Sequence, residues 1–90
     1  MQQEGGPSKI ILKKSLQKAI TEWEEKTGKK LCDETWVDLI FSGVTDLEMN
    51  ALSYFRNCTK LSLSSNLISK IPDIQIENLQ ILSLGRNKIK

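Results

Sequence analysis

The sequence predicts an α/β fold, a short solenoid of parallel strands stacked behind an N-terminal capping helix. Three observations predict it. The stretch "LSLSSNLISKI" at 61–71 returns, nearly word for word, as "LSLGRNKIK" at 82–90. Leu12, Leu16, Ile20 and Trp23 recur at the spacing of one helix face. Between these regions Val44, Leu47, Leu52, Phe55, Cys58 and Leu61 keep a beat of three to five residues. Such a beat suits a tightly wound coil better than a long helix or a strand.

The elements follow in chain order. Residues 1–7, "MQQEGGP", are polar and hold two glycines and a proline, which predicts a loose tail. Ser8 is a candidate cap for a helix over about 8–27, and the cap region extends to residue 30. Lys18, Glu22 and Lys26 are spaced i, i+4 and can pair weakly on its outer face. Gly28 is placed to stop it. Glu24 and Glu25 read as solvated surface. In "TWVDLIF" Val37 and Leu39 alternate with Trp36, Asp38 and Ile40, as a strand requires.

Residues 31–90 carry the repeats. Leu79, Leu82, Leu84, Asn87 and Ile89 fit the leucine-rich-repeat template L-x-x-L-x-L-x-x-N-x-L, with isoleucine last. Cys58, Leu61, Leu63, Asn66 and Ile68 fit it with cysteine first. The pairs 61/82, 63/84, 66/87 and 68/89 all give a period of 21 residues. A degenerate first copy lies 24 residues upstream, with Val37 and Leu39 in the strand slots and Ser42 in the asparagine slot. Val44 and Leu47 hold the slots of Ile68 and Ile71. The L-x-L leucines are expected to face a core that only stacking can bury. The asparagines are expected to bond backbone groups left open by the turn, forming a ladder. Ile68, Ile71 and Ile74 are expected to close the coil's other side, with Pro72 in its non-sheet segment. The third copy stops after its asparagine slot, which predicts that the 90 residues are the N-terminal part of a longer chain.

Composition narrows the function. A net charge of +2 lacks the dense basic stripe of a nucleic-acid binder. The only early apolar run, Ile10 to Leu12, falls short of the roughly 7–15 residues of a secretory core and the ~20 of a membrane span. The expectation is a cytoplasmic protein without membrane or nucleic-acid partners. Two cysteines and no histidine offer neither a disulfide framework nor a zinc site. "TGKK" fails the phosphate-loop template twice, because Trp23 and Lys30 stand where glycine and Ser or Thr are needed. No nucleophile elbow or acid–base set is evident, so the chain is read as a non-enzyme without cofactors. Cys58, in a leucine slot, reads as a core thiol. Trp23 reads as core.

Strand alternation then places the candidate binding surface. If Leu61 and Leu63 face inward, Lys60, Ser62 and Ser64 face the concave outer side of the sheet. Ile81, Ser83 and Gly85 fall beside them, next to Arg86, and Trp36, Asp38 and Ile40 come from the first copy. Apolar groups stand at both ends, with small residues between, which suits a protein partner. Trp36 has one other reading, packing beneath the capping helix. Lys60, Arg86, Lys88 and Lys90 could meet an acidic partner.

The residues also carry a resemblance. "LQKAITEWEEKTGKK" at 16–30, "NCTKLSLSSNLISKI" at 57–71 and "NLQILSLGRNKIK" at 78–90 together resemble the leucine-rich-repeat light chains of axonemal outer-arm dynein. The resemblance runs from about residue 16 and is looser over 31–56. It implies a non-enzymatic subunit of a ciliary or flagellar motor in the axonemal cytoskeleton. It further implies binding to the microtubule-binding stalk of a dynein heavy chain, with tubulin alongside, and an effect on motility. The family's later repeats and C-terminal helical region have no counterpart here. The other reading is a leucine-rich-repeat adaptor or phosphatase-regulatory scaffold with no link to the motor.

Overall fold

Ser15 opens the first helix, α1, which runs Leu16–Thr27 in a computed structural model that describes residues 13–89. The Ser15 hydroxyl accepts from the Lys18 N–H at 3.1 Å. The first-turn N–H groups of Leu16 and Gln17 donate to the two carboxylate oxygens of Glu48, at 2.8 and 3.2 Å. A carboxylate there satisfies open donors and complements the helix dipole. Gly28 ends the helix in the left-handed region (φ 72°), its N–H donating to the Glu24 carbonyl.

This start corrects the expected one. Residues 13–15 are not helical, because the Lys14 and Ser15 backbone pairs with Thr45 and Asp46 of the chain that α1 covers. The predicted tail, the Ser8 cap and Leu12 lie outside the described residues, as does Lys90. Glu22 pairs with Lys14 rather than with Lys18 or Lys26, and that hydrogen bond holds its carboxyl below the ordinary value. Glu24 is not merely solvated surface. Its carboxylate accepts the Leu31 N–H at 2.8 Å and ties the helix end to a single 3₁₀ turn, Leu31–Asp33. Cys32 sits in that turn, half-buried.

Three short strands follow: β1 (Trp36–Asp38), β2 (Lys60–Ser62) and β3 (Ile81–Ser83). They form a parallel sheet in chain order. Val37 is level with Leu61, and Leu61 with Leu82. These registers are the 24- and 21-residue offsets of the sequence. Between β1 and β2 the chain makes one four-residue helix, α2 (Met49–Leu52). Each connection leaves the sheet, crosses the back and returns parallel. The result is a mixed helix–strand chain around a three-stranded parallel sheet, as an α/β chain requires.

The backbone bonds repeat with the coils. Leu39 N–H donates to the Ser62 carbonyl and Leu63 N–H to that of Ser83, both at 2.9 Å. Two asparagines, Asn66 buried and Asn87 half-buried, stitch neighbours together. Asn66 Oδ1 accepts the N–H groups of Ser42 and Val44, while Nδ2 donates to the carbonyls of Leu39 and Leu63. Asn87 repeats this a coil later, accepting from Ile68 and donating to Leu63 and Leu84. A second pair, on the approach to the strands, was not foreseen. Asn57 Nδ2 donates to the Cys32 carbonyl and Asn78 Nδ2 to that of Arg56.

The core lies between α1, the sheet and the returning segments. Leu16 and Ile20 of α1 meet Val37, Leu39, Leu61 and Leu63, all almost wholly buried. Val44, Leu47, Leu52, Phe55, Cys58 and Ile68 close the back. Burial pushes the Cys58 thiol up, so it is a poor nucleophile. Ile71 departs from its expected inward slot and is 43% exposed. The chain from 69 to 75 takes no regular structure and turns in only at Ile76, which is buried in its place, with Ile74 partly buried. Trp23 is also only partly buried, at the margin of the core.

Candidate functional site

The outer face of the sheet is where the fold leaves apolar side chains uncovered. Val37 and Leu61 turn inward, so their neighbours on either side turn out. Trp36 is 63% exposed, which excludes the reading in which it packs under α1. Ile40 and Ile81 are 41% and 48% exposed.

The strand register assembles rows across the face. Trp36, Lys60 and Ile81 stand level, and Asp38, Ser62 and Ser83 form the next row. The Lys60 ammonium lies 5.0 Å from the centroid of the Trp36 ring. A cation over an indole face is attracted by the ring's quadrupole, about 0.5–1 kcal/mol at an exposed site. The hydroxyls of Ser62 and Ser83 make the floor. Together Trp36, Asp38, Ile40, Lys60, Ser62, Ile81 and Ser83 line a shallow cleft of about 300 Å³.

Seven of the ten residues assigned to this face from sequence thus meet in one cleft. Ser64, Gly85 and Arg86 do not. They sit past the strand ends, where the chain turns toward the asparagines, and Arg86 there has φ 57°. Ile40 holds the same slot as Ser64 and Gly85, two residues past its strand, and lines the cleft, so at this slot a long side chain reaches the cleft where serine and glycine do not.

The turn after β1 was missed as part of the surface. Phe41 is 76% exposed and sits in the left-handed region at φ 54°. It lies beside a second cleft, of about 260 Å³, between α1 and residues 38–42. Ile40 lines both clefts. The signal was present in the repeat. Phe41, Ser65 and Arg86 occupy one slot, just before the asparagine position, and all three have positive φ.

Chemically, the face can bind but shows no catalytic set. Among the described residues no group of three or more His, Cys, Asp or Glu is placed to hold a metal ion. No described helix is long and apolar enough to cross a membrane.

No family model matches the chain. Curated relatives do. It is 48% identical over 79 residues to Dynein axonemal light chain 1 of Danio rerio, a match covering 84% of this chain and 41% of the relative. The protein of that name in Homo sapiens is 44% identical with the same coverage. That of Chlamydomonas reinhardtii is 55% identical over 40 residues, 43% of this chain and 20% of its own length. The chain spans about 41% of the length of the vertebrate relatives, and the match lies in their N-terminal part. The resemblance to the axonemal light chains is therefore one of extended sequence identity and not of repeat pattern alone.

Proposed function

We propose, from this relationship to axonemal dynein light chain 1, that the chain is a leucine-rich-repeat solenoid serving as a light chain of outer-arm dynein in the ciliary or flagellar axoneme. Its task is to bind. The concave sheet face receives the microtubule-binding stalk region of a heavy chain, with tubulin nearby, and the contact adjusts motility. No step of catalysis belongs to this chain.

The observation that supports the site is the cleft on the sheet, which Trp36, Ile40 and Ile81 line together with Ser62 and Ser83. Large apolar groups around a close-approach floor supply the central anchors from which protein interfaces draw most of their energy. The solenoid reading is supported by the 24- and 21-residue registers and by the stacked asparagines.

Affinity capture from axonemal extract tests the proposal, with the chain compared to its Trp36→Ala/Ile81→Ala double variant. An outer-arm heavy chain is expected with the parent and lost, by at least about tenfold, with the variant. Equal recovery would move the site off the sheet face. A folded parent that recovers no dynein would sink the motor assignment.

A further inference from the structure

One side of the sheet is open. β3 pairs with β2 and, among the described residues, with no strand beyond it. An uncovered strand edge is a template for pairing. What this edge offers can be read from β2, whose two sides are both used. There the Leu63 N–H donates to the Ser83 carbonyl, and the Thr59 carbonyl accepts the N–H groups of Gln80 and Ile81. The same groups one repeat later are the Leu84 N–H and the Gln80 carbonyl, which have no backbone partner among the described residues. Leu82, level with Leu61, turns its own N–H and carbonyl the same way, since alternate residues of a strand bond to opposite sides. The edge therefore presents an acceptor at 80, an acceptor and a donor at 82, and a donor at 84.

This set is self-complementary about Leu82. In an antiparallel pair with Leu82 opposite Leu82, each Leu84 N–H meets the other molecule's Gln80 carbonyl, and the two Leu82 residues exchange both bonds. The half-buried leucines 82 and 84 meet their counterparts and lose more water. Charge agrees with the pairing. Glu77 precedes the strand, and Arg86 and Lys88 follow it. All three are exposed, and none forms an ion pair among the described residues. Pairing about residue 82 brings position 77 level with position 87 of the other molecule, between its Arg86 and Lys88. Both crossings then join opposite signs. Head-to-tail stacking is closed off, because α1 covers the other end of the stack. A side that can pair only with its own kind gives a closed two-fold dimer.

We infer that the β3 edge is a homodimer interface, where a second molecule of this chain completes one six-stranded sheet. The inference does not depend on the motor reading. The two-fold axis stands perpendicular to the sheet, so both outer faces lie on one side. Ile81 of one molecule is level with Ser83 of the other, and the two clefts share one surface.

Sedimentation of the 90-residue chain is expected to show a 10.2 kDa species giving way to one of twice that mass as the concentration rises toward about 1 mM. Hydrogen exchange at the Leu82 and Leu84 amides should slow as the dimer forms, whereas the Leu63 amide, already bonded to Ser83, should not change. Glu77→Arg and Arg86→Glu each place like charges at both crossings. Each is expected to weaken self-association by about tenfold, less so at high salt. Mixed together, the two variants restore opposite charges at both crossings and are expected to recover the dimer as a heterodimer. A single 10.2 kDa species at every concentration overturns the inference. So does a dimer in which the Leu82 and Leu84 amides exchange as in the monomer, a dimer that neither variant weakens, or a mixture that recovers nothing.

Discussion

The second and third copies of the repeat, coil two (residues 58–68) and coil three (residues 79–89), share most of their wording and are buried differently, and coil one is the degenerate copy that begins at β1. Leu61, Leu63, Asn66 and Ile68 are at most 3% exposed. Their counterparts Leu82, Leu84 and Asn87 are half-buried, and Ile89 is 38% exposed. Strand length is the same in both, and each asparagine Nδ2 donates to equivalent carbonyls, while Asn66 Oδ1 accepts two N–H groups and Asn87 Oδ1 one. The difference is the neighbours. Coil two lies between coil one and coil three, whereas coil three, among the described residues, packs on one side only. The template therefore sets which way a side chain points, and stacking sets how much water it loses.

The sharpest way to break this comparison is to cut the same side chain from both coils. Leu63→Ala removes a fully buried side chain and is expected to cost about 2–5 kcal/mol. Leu84→Ala, its counterpart 21 residues on, starts half-exposed and leaves a dent open to water. It is expected to cost less than about half as much. Urea unfolding of both variants reads the ratio. Equal costs would mean that position in the repeat matters more than burial.

The asparagines sharpen the same contrast with polar groups. Asn66→Ala strands the N–H groups of Ser42 and Val44 and the Leu39 carbonyl in the interior. A loss of about 1–3 kcal/mol is expected. Asn87→Ala opens equivalent groups that water can reach, so a smaller loss is expected. Hydrogen exchange adds a local reading, since the Val44 amide should lose protection in the first variant and the Ile68 amide in the second. No change at Val44 would show that the side-chain bonds are dispensable.

Much of this was legible in the sequence, for physical reasons. Identical spacing in two copies fixed the sheet register, because a 21-residue offset brings like slots level. Alternation about Leu61 was enough to turn Trp36, Lys60 and Ile81 outward. What the residues did not disclose depended on contacts between distant segments. The start of α1 moved from 8 to 16 because residues 45–48 claim the backbone at 14–17. Glu24 found a partner in Leu31, seven residues away, and Glu22 chose Lys14 over two cations at ideal helical spacing. Phe41 escaped notice because a bulky residue is a poor sign of left-handed backbone, and only the aligned Ser65 and Arg86 expose its slot. Ile71 was assigned inward by analogy with Leu47, but an irregular run through Pro72 carries it outward.

The last test turns the covered end of the stack toward the state of the open one. Coil one is covered by α1, and Glu48 fastens the two by accepting from Leu16 and Gln17. Glu48→Ala removes both bonds and a charge that complements the helix dipole. A cost of about 0.5–2 kcal/mol is expected, the range of a lost helix cap. Glu48→Gln keeps one acceptor and loses the charge, so its cost separates the bonds from the dipole. Exchange should quicken at Leu16 and Gln17 in both variants, and Leu39, buried beneath the helix, should stay protected. If Leu39 loosens as well, α1 holds coil one shut as one cooperative unit. The difference between the two ends would then lie in that fastening, and not in the count of neighbours alone.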